Sequence, residues 1–153
     1  MKKGIDYIGI TASYLAHDGE GNFVMTLRGE NCRDEQGVWD FGGGGIDFGD
    51  SAVKTIIKEI KEELDADVKN EDVHFLGYRD LFREQEGQET HWVSLQFIVQ
   101  VNREHVKNNE PHKFDDIGWF RLDELPNNIH STAHPMLEKF QAEIKEIAHS
   151  FPA

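Results

Sequence analysis

The chain has 153 residues, 38% hydrophobic and 29% charged, and 16 basic against 29 acidic residues leave a net charge of −13. That balance suits one folded domain over residues 1–153 and excludes disorder along the whole chain, while the acidic surface argues against a phosphate-tracking nucleic-acid groove or docking on an anionic membrane face. The single cysteine, Cys32, excludes an intrachain disulfide and a cysteine zinc cluster, and no apolar run reads as a signal peptide or bilayer span, so a cytoplasmic protein is expected.

Residues 8–15 and 23–28 read as paired strands joined by the turn-rich segment 17–22. Trp39, Asp40 and Phe41 lead into a loop of four glycines, Gly42 to Gly45, and Asp50 and Ser51 offer a helix cap. A helix is predicted over 52–64, with Val53, Ile57, Ile60 and Leu64 on one face. Strands are predicted at 73–79 and 91–101, joined by the polar segment 83–89, with a short strand at 117–120. A last helix over 136–148 carries Leu137, Phe140, Ile144 and Ile147 as its apolar stripe, and Pro135 argues against regular helix before it. Strands crowd the middle and helices sit at two separate places, which predicts an α+β or mixed α/β fold.

The helix over 52–64 carries the informative pattern. On a helical wheel Glu59, Glu62 and Glu63 form a stripe beside the apolar sector, and Lys54, Lys58 and Lys61 lie on its other side. A solvated Glu/Lys face is the bland alternative. It fits poorly, because Glu59 and Glu63 are a like-charge pair that a divalent cation would turn favourable. The preceding glycines allow close approach of a ligand, and Asp47 and Asp50 add carboxylates just before the helix.

Gly44, Asp50, the run Lys58-Glu59-Ile60-Lys61-Glu62-Glu63, and Asp65-Ala66 keep the spacing G-x5-E-x7-R-E-U-x-E-E-x-G-U, where U is a bulky aliphatic residue. The segment resembles the box of the Nudix family. Trp39, Gly49-Asp50-Ser51, and Trp119-Phe120 ahead of Leu122 extend the resemblance over roughly 8–125. Asp50 stands for the usual Glu, Lys58 for Arg, Asp65 for Gly, Ala66 for a bulky aliphatic residue, and Gly42 for a proline. Asp65 is expected to end the helix, where Asp tolerates left-handed geometry less well than Gly.

The resemblance implies a Nudix fold, a mixed sheet between helices. It implies a Mg²⁺-dependent pyrophosphohydrolase, with Mn²⁺ as a substitute ion, that cleaves a nucleoside triphosphate or related nucleotide. Glu59, Glu62, Glu63 and the Gly44 carbonyl would be metal ligands, and one of the three glutamates would take the proton from water. Lys58 would orient a glutamate. Gly43, Gly44, Arg28 and Arg79 are the substrate-binding candidates, with Arg83 a further cation. Glu110, Asp115 and Asp116 are candidates for a late acidic ligand. Glu110-Pro111-x-Lys113 followed by Trp119 resembles a subgroup that includes nucleoside triphosphate pyrophosphatases. Trp92 and Trp119 read as core or cleft residues, and the eight histidines as scattered polar groups rather than a zinc site. The rival function is a catalytically silent Nudix domain that binds a nucleotide as a sensor; an isomerase on the same fold is a third reading. The expected partner is a small nucleotide, with no nucleic acid and no membrane, and a homodimer is compatible with all of this.

Overall fold

The computed structural model describes residues 1–149. In chain order the elements are β1 (Gly9–His17), β2 (Asn22–Arg28), β3 (Trp39–Asp40), β4 (Gly42–Gly45), α1 (Ala52–Leu64), β5 (Val73–Gln85), β6 (Gln88–Gln100), β7 (Phe114–Arg121), α2 (Ala133–Lys139) and α3 (Gln141–His149). The strands make one mixed sheet in the order β3-β2-β1-β6-β5, with β4 also beside β1 and β7 beside β2. β1 runs parallel to β6 from Gly9 opposite Trp92 to His17 opposite Gln100, and the other pairings are antiparallel.

Successive strand side chains point to opposite faces, and both faces are covered. Ala12, Tyr14 and Ala16 of β1 join Val24, Phe97 and Val99 in a core beneath α1. Leu15, Phe23, Met25 and Ile98 point the other way, into a second core with Met136, Phe140 and Ile144 of the α2–α3 segment. The sheet is thus sandwiched between helices. No helix among the described residues is long and apolar enough to cross a membrane.

Four local outcomes differ from the sequence reading. The glycine run is not a loop but the strand β4, paired with residues 11–14 of β1. Glycine suits it because bulk is excluded: a Cβ on Gly43 would lie 2.6 Å from the Ala12 carbonyl oxygen. The polar segment 83–89 is mostly strand. Its turn is only Glu86-Gly87, both at positive φ (51° and 77°), as a two-residue hairpin turn that matches the strand twist requires. β7 begins at Phe114, three residues before the expected start. The last helix starts earlier, at Ala133, because Pro135 falls in the first turn, where no backbone N–H is needed. It breaks at Phe140, whose ring fills the notch left by the missing side chain of Gly77.

Candidate active site

Helix α1 begins where Ser51 Oγ accepts the Lys54 N–H at 3.0 Å. It ends at Asp65 in left-handed conformation (φ 57°), held by Lys61 at 3.1 Å and Lys107 at 3.3 Å. Its inward face centres on Ile56, Ile60 and Leu64, with Val53 packed alongside and Ile57 at the margin. Counting four residues forward from Glu59 therefore brings Glu63 inward too, where only 3% of it is exposed. The three glutamates do not share one environment. Glu63 is buried, Glu59 half-buried, and Glu62 exposed.

Glu63 meets the glycine strand. Its Oε1 accepts the Tyr14 hydroxyl and the Gly43 N–H, each at 3.1 Å. Burial pushes this carboxyl up to about 8, reinforced by the Glu59 charge and opposed by Lys113 and the two hydrogen bonds. Glu59 lies against Gly44, where a Cβ would come within 2.5 Å of its carboxyl carbon and Oε1. Burial and the neighbouring Glu62 raise Glu59 to about 6. Of the late acids, Glu110 is the one whose charge also raises Glu59; Asp115 and Asp116 are exposed, and Asp116 accepts its own strand's Ile117 N–H at 2.8 Å.

Glu63, Gly43 and Gly44 line a cleft of about 270 Å³ whose far walls include Arg28, Arg79, Arg83 and Lys113. Arg28 is committed to the loop after β2: its guanidinium donates to the Asp34 and Glu35 carbonyls and pairs with Asp34 at 2.9 Å and Asp40 at 3.6 Å. Arg83 pairs with Glu35 at 2.7 Å. Arg79 donates to the Thr132 carbonyl at 3.2 Å and leaves its buried Nε without an acceptor. Among the described residues neither Arg79 nor Lys113 has a carboxylate within 4.0 Å.

Two ties hold these walls, and neither is readable from the sequence. Glu35, at φ 44°, accepts from Ser131 N–H and hydroxyl at 2.8 Å each and from Arg83, and lies 2.9 Å from His130. It fastens the loop after β2 to the segment before α2. Gly29 N–H and Cys32 Sγ both donate to the Lys113 carbonyl, at 2.9 and 3.4 Å, fixing where that lysine enters the cleft. Such contacts join residues 48 to 96 positions apart, and no local spacing announces them. Lys58 departs from its expected role. Its ammonium reaches back to Asp47 at 3.1 Å, not to a glutamate at hydrogen-bond distance. Trp119 lies under Arg103, 4.9 Å from its guanidinium, and Trp92 covers Gly4 and Gly9; neither lines the cleft with Glu63.

A profile of the NUDIX domain matches residues 8–140. The chain belongs to the Nudix family. That family is the Nudix hydrolases. No curated protein sequence matches it. Solved structures share the fold. A MutT Nudix hydrolase from Burkholderia pseudomallei is 22% identical, with a TM-score of 0.75 over 87% of this chain and 98% of that one. A MutT protein from Methanosarcina mazei Go1 is 21% identical, with a TM-score of 0.71 over 90% and 96%. A bifunctional NMN adenylyltransferase/ADP ribose pyrophosphatase from Francisella tularensis, complexed with AMP and a Mn ion, is 14% identical, with a TM-score of 0.64 over 89% of this chain and 42% of that one.

Two expectations for this Nudix hydrolase follow from the contacts around Glu59. Gly44→Ala drives a methyl group into the Glu59 carboxylate. The end of a flexible side chain yields, so the melting temperature stays near wild type while turnover falls about 10–100-fold, the scale of an ångström misplacement. Lys58→Ala removes only an exposed pair with Asp47 and costs far less turnover. Steady-state kinetics on both variants checks the pair, and equal losses would show that Lys58 holds a glutamate after all.

Proposed function

We propose that this Nudix hydrolase is a divalent-metal-dependent pyrophosphohydrolase, one catalytic domain over residues 1–153, that cleaves a nucleoside triphosphate or related nucleotide. The observation that carries the reading is the buried Glu63 carboxylate in a cleft whose other walls present Arg79 and Lys113 without carboxylate partners. Carboxylates that a bound metal would keep ionised, with Arg79 and Lys113 in the same cleft, suit a phosphate chain.

The donor set fits a hard cation. Burial and neighbouring carboxylates hold Glu63 at about 8 and Glu59 at about 6, and an added divalent charge favours ionisation of both. Among the described residues no three acidic, histidine or cysteine side chains already form a cage. Mg²⁺ and Mn²⁺ suit such a site, because Mg²⁺ commonly binds through one or two carboxylates, its own waters and substrate phosphates. Glu59, Glu63 and the Gly44 carbonyl would hold the ion, with Glu62 at the exposed rim and Glu110 beside Glu59. When bound it supplies charge neutralisation and a more acidic water.

The chain's own groups do the rest. Arg79 and Lys113 bind non-bridging phosphate oxygens; Arg28 serves instead to lock the loop. Gly43 and Gly44 let the substrate approach the strand backbone. An ionised glutamate takes the proton of the attacking water as its oxygen bonds to phosphorus. The bridging P–O bond breaks, and the departing phosphate carries away the electron pair. Phosphate and pyrophosphate release across nucleoside triphosphates, nucleotide sugars, dinucleoside polyphosphates and ADP-ribose, with Mg²⁺, Mn²⁺ or chelator, tests the reading. Release from a triphosphate only with metal supports it. Nucleotide binding without any release overturns it in favour of a silent binding domain.

A further inference from the structure

The sheet face that carries α1 is only half covered. α1 packs on β1 and β4, and the β5–β6 hairpin runs out beyond it. The strand register sets which side chains share the uncovered part: Ile10 opposite Val93, then Tyr78 opposite Leu95, Asp80 opposite Val93 and Phe82 opposite His91. Phe75 stacks on Phe97, 5.2 Å between centroids, at the edge of the core beneath α1. Ile5 and Phe82 line one surface pocket. Among the described residues nine large hydrophobic side chains are exposed, and six are here: Ile5, Ile8, Ile10, Phe75, Tyr78 and Phe82, between 38% and 73% exposed. That concentration separates a patch from the scatter of apolar atoms on any surface.

Charge and area select the occupant. In a two-fold pair each patch meets itself, so a chain of net charge −13 associates with its own copy only where carboxylates are scarce. Asp80, among the apolar side chains, is held 2.9 Å from His91, and Glu84 and the Glu89 opposite it stand at the hairpin end of the same face, beyond Phe82. The three aromatic and three isoleucine side chains expose roughly 600 Å², and two copies together bury about 1,200 Å², the lower bound of specific interfaces. β5 is also an open edge, paired among the described residues only with β6.

We propose that this face joins two copies of the chain about a two-fold axis, β5 of one protomer lying across β5 of its partner. The interface is separate from the proposed chemistry but adjoins it. Arg79 and Arg83 leave the opposite side of β5 and line the cleft, so the dimer braces that wall.

Sedimentation equilibrium of the full chain, from roughly 1 to 200 µM, brackets the micromolar Kd that an interface of this size supports. A monomer–dimer equilibrium that tightens with added salt, as screening relieves the repulsion between two acidic copies, is expected. Phe82→Glu and Tyr78→Glu each leave a monomer across that range, with unchanged far-ultraviolet circular dichroism because both side chains are exposed. Should a glutamate variant lose its fold, Phe82→Ser is the substitute and is expected to weaken the dimer at least about tenfold. A wild type that stays monomeric at 200 µM, species growing beyond the dimer, or a dimer that survives the substitutions overturns the proposal. The readout is mass, so it stands or falls independently of catalysis.

Discussion

Glu63→Gln is expected to cut nucleotide hydrolysis at least about a hundredfold while making the metal-free protein more stable at pH 8. The two effects have one cause. Both hydrogen bonds to this side chain, from the Tyr14 hydroxyl and the Gly43 N–H, end on Oε1, and the amide oxygen of glutamine accepts both without changing shape. What glutamine lacks is the charge. Removing it takes away a candidate ligand oxygen of the proposed site. It also removes the cost of ionising a carboxyl that burial has raised to about 8. Turnover and thermal melting of the same two proteins at pH 8 check both halves. A variant that loses activity and also melts lower would mean that Glu63 serves the fold rather than the chemistry.

Without divalent metal, the stability of the wild type is expected to fall as pH rises from about 6.5 to 8. An ordinary glutamate near 4.5 has lost its proton throughout this window, whereas folded Glu63 keeps its proton up to about 8. Asp40, raised by burial to about 7 against the pull of Arg28, behaves likewise over the lower part. The folded state therefore binds more protons than the unfolded one, and stability drops with pH by up to about 1.4 kcal/mol per pH unit for each proton so held. Below pH 6.5 His17 opposes the trend. Burial lowers it to about 4, so there the unfolded chain takes up one proton against those that Glu63 and Asp40 hold in the fold, and the fall with pH is shallower. The observable is a decline with rising pH that is steepest between about 6.5 and 7, where both carboxyls keep their protons and His17 no longer offsets one. Mg²⁺ or Mn²⁺ should raise stability most at pH 8, where the carboxylates it would bind are costliest to leave bare, and Glu63→Gln should lessen both the decline and the metal effect. Melting curves over pH 5–8.5 with chelator or metal decide this; a metal-independent slope would remove the cation from Glu63.

The limits of α1 were legible in the amino-acid string. Ser51 caps it, Asp65 ends it, and a helical apolar period fills the residues between. Local groups satisfy local backbone bonds there, so a local reading suffices. The box spacing likewise carried the family, because helical period places Glu59, Glu62 and Glu63 along one side before any tertiary contact exists. Tertiary structure decided how those three differ. The helix rotates so that Ile56, not Ile57, is central to the packing, which drives Glu63 against Tyr14 and Gly43 and leaves Glu62 in water. The glycine run became a strand only because β1 offered an edge with no room for side chains. The separation of Arg28 from Arg79 and Lys113 was likewise tertiary. Arg28, Arg79, Arg83 and Lys113 look alike in a string, but only the folded loop after β2 supplies Asp34 and Glu35 to pair with Arg28 and Arg83 and leave the other two in the cleft without a carboxylate. Charge pairing across the chain depends on where side chains come to rest, and the chain records that only once its cores have formed.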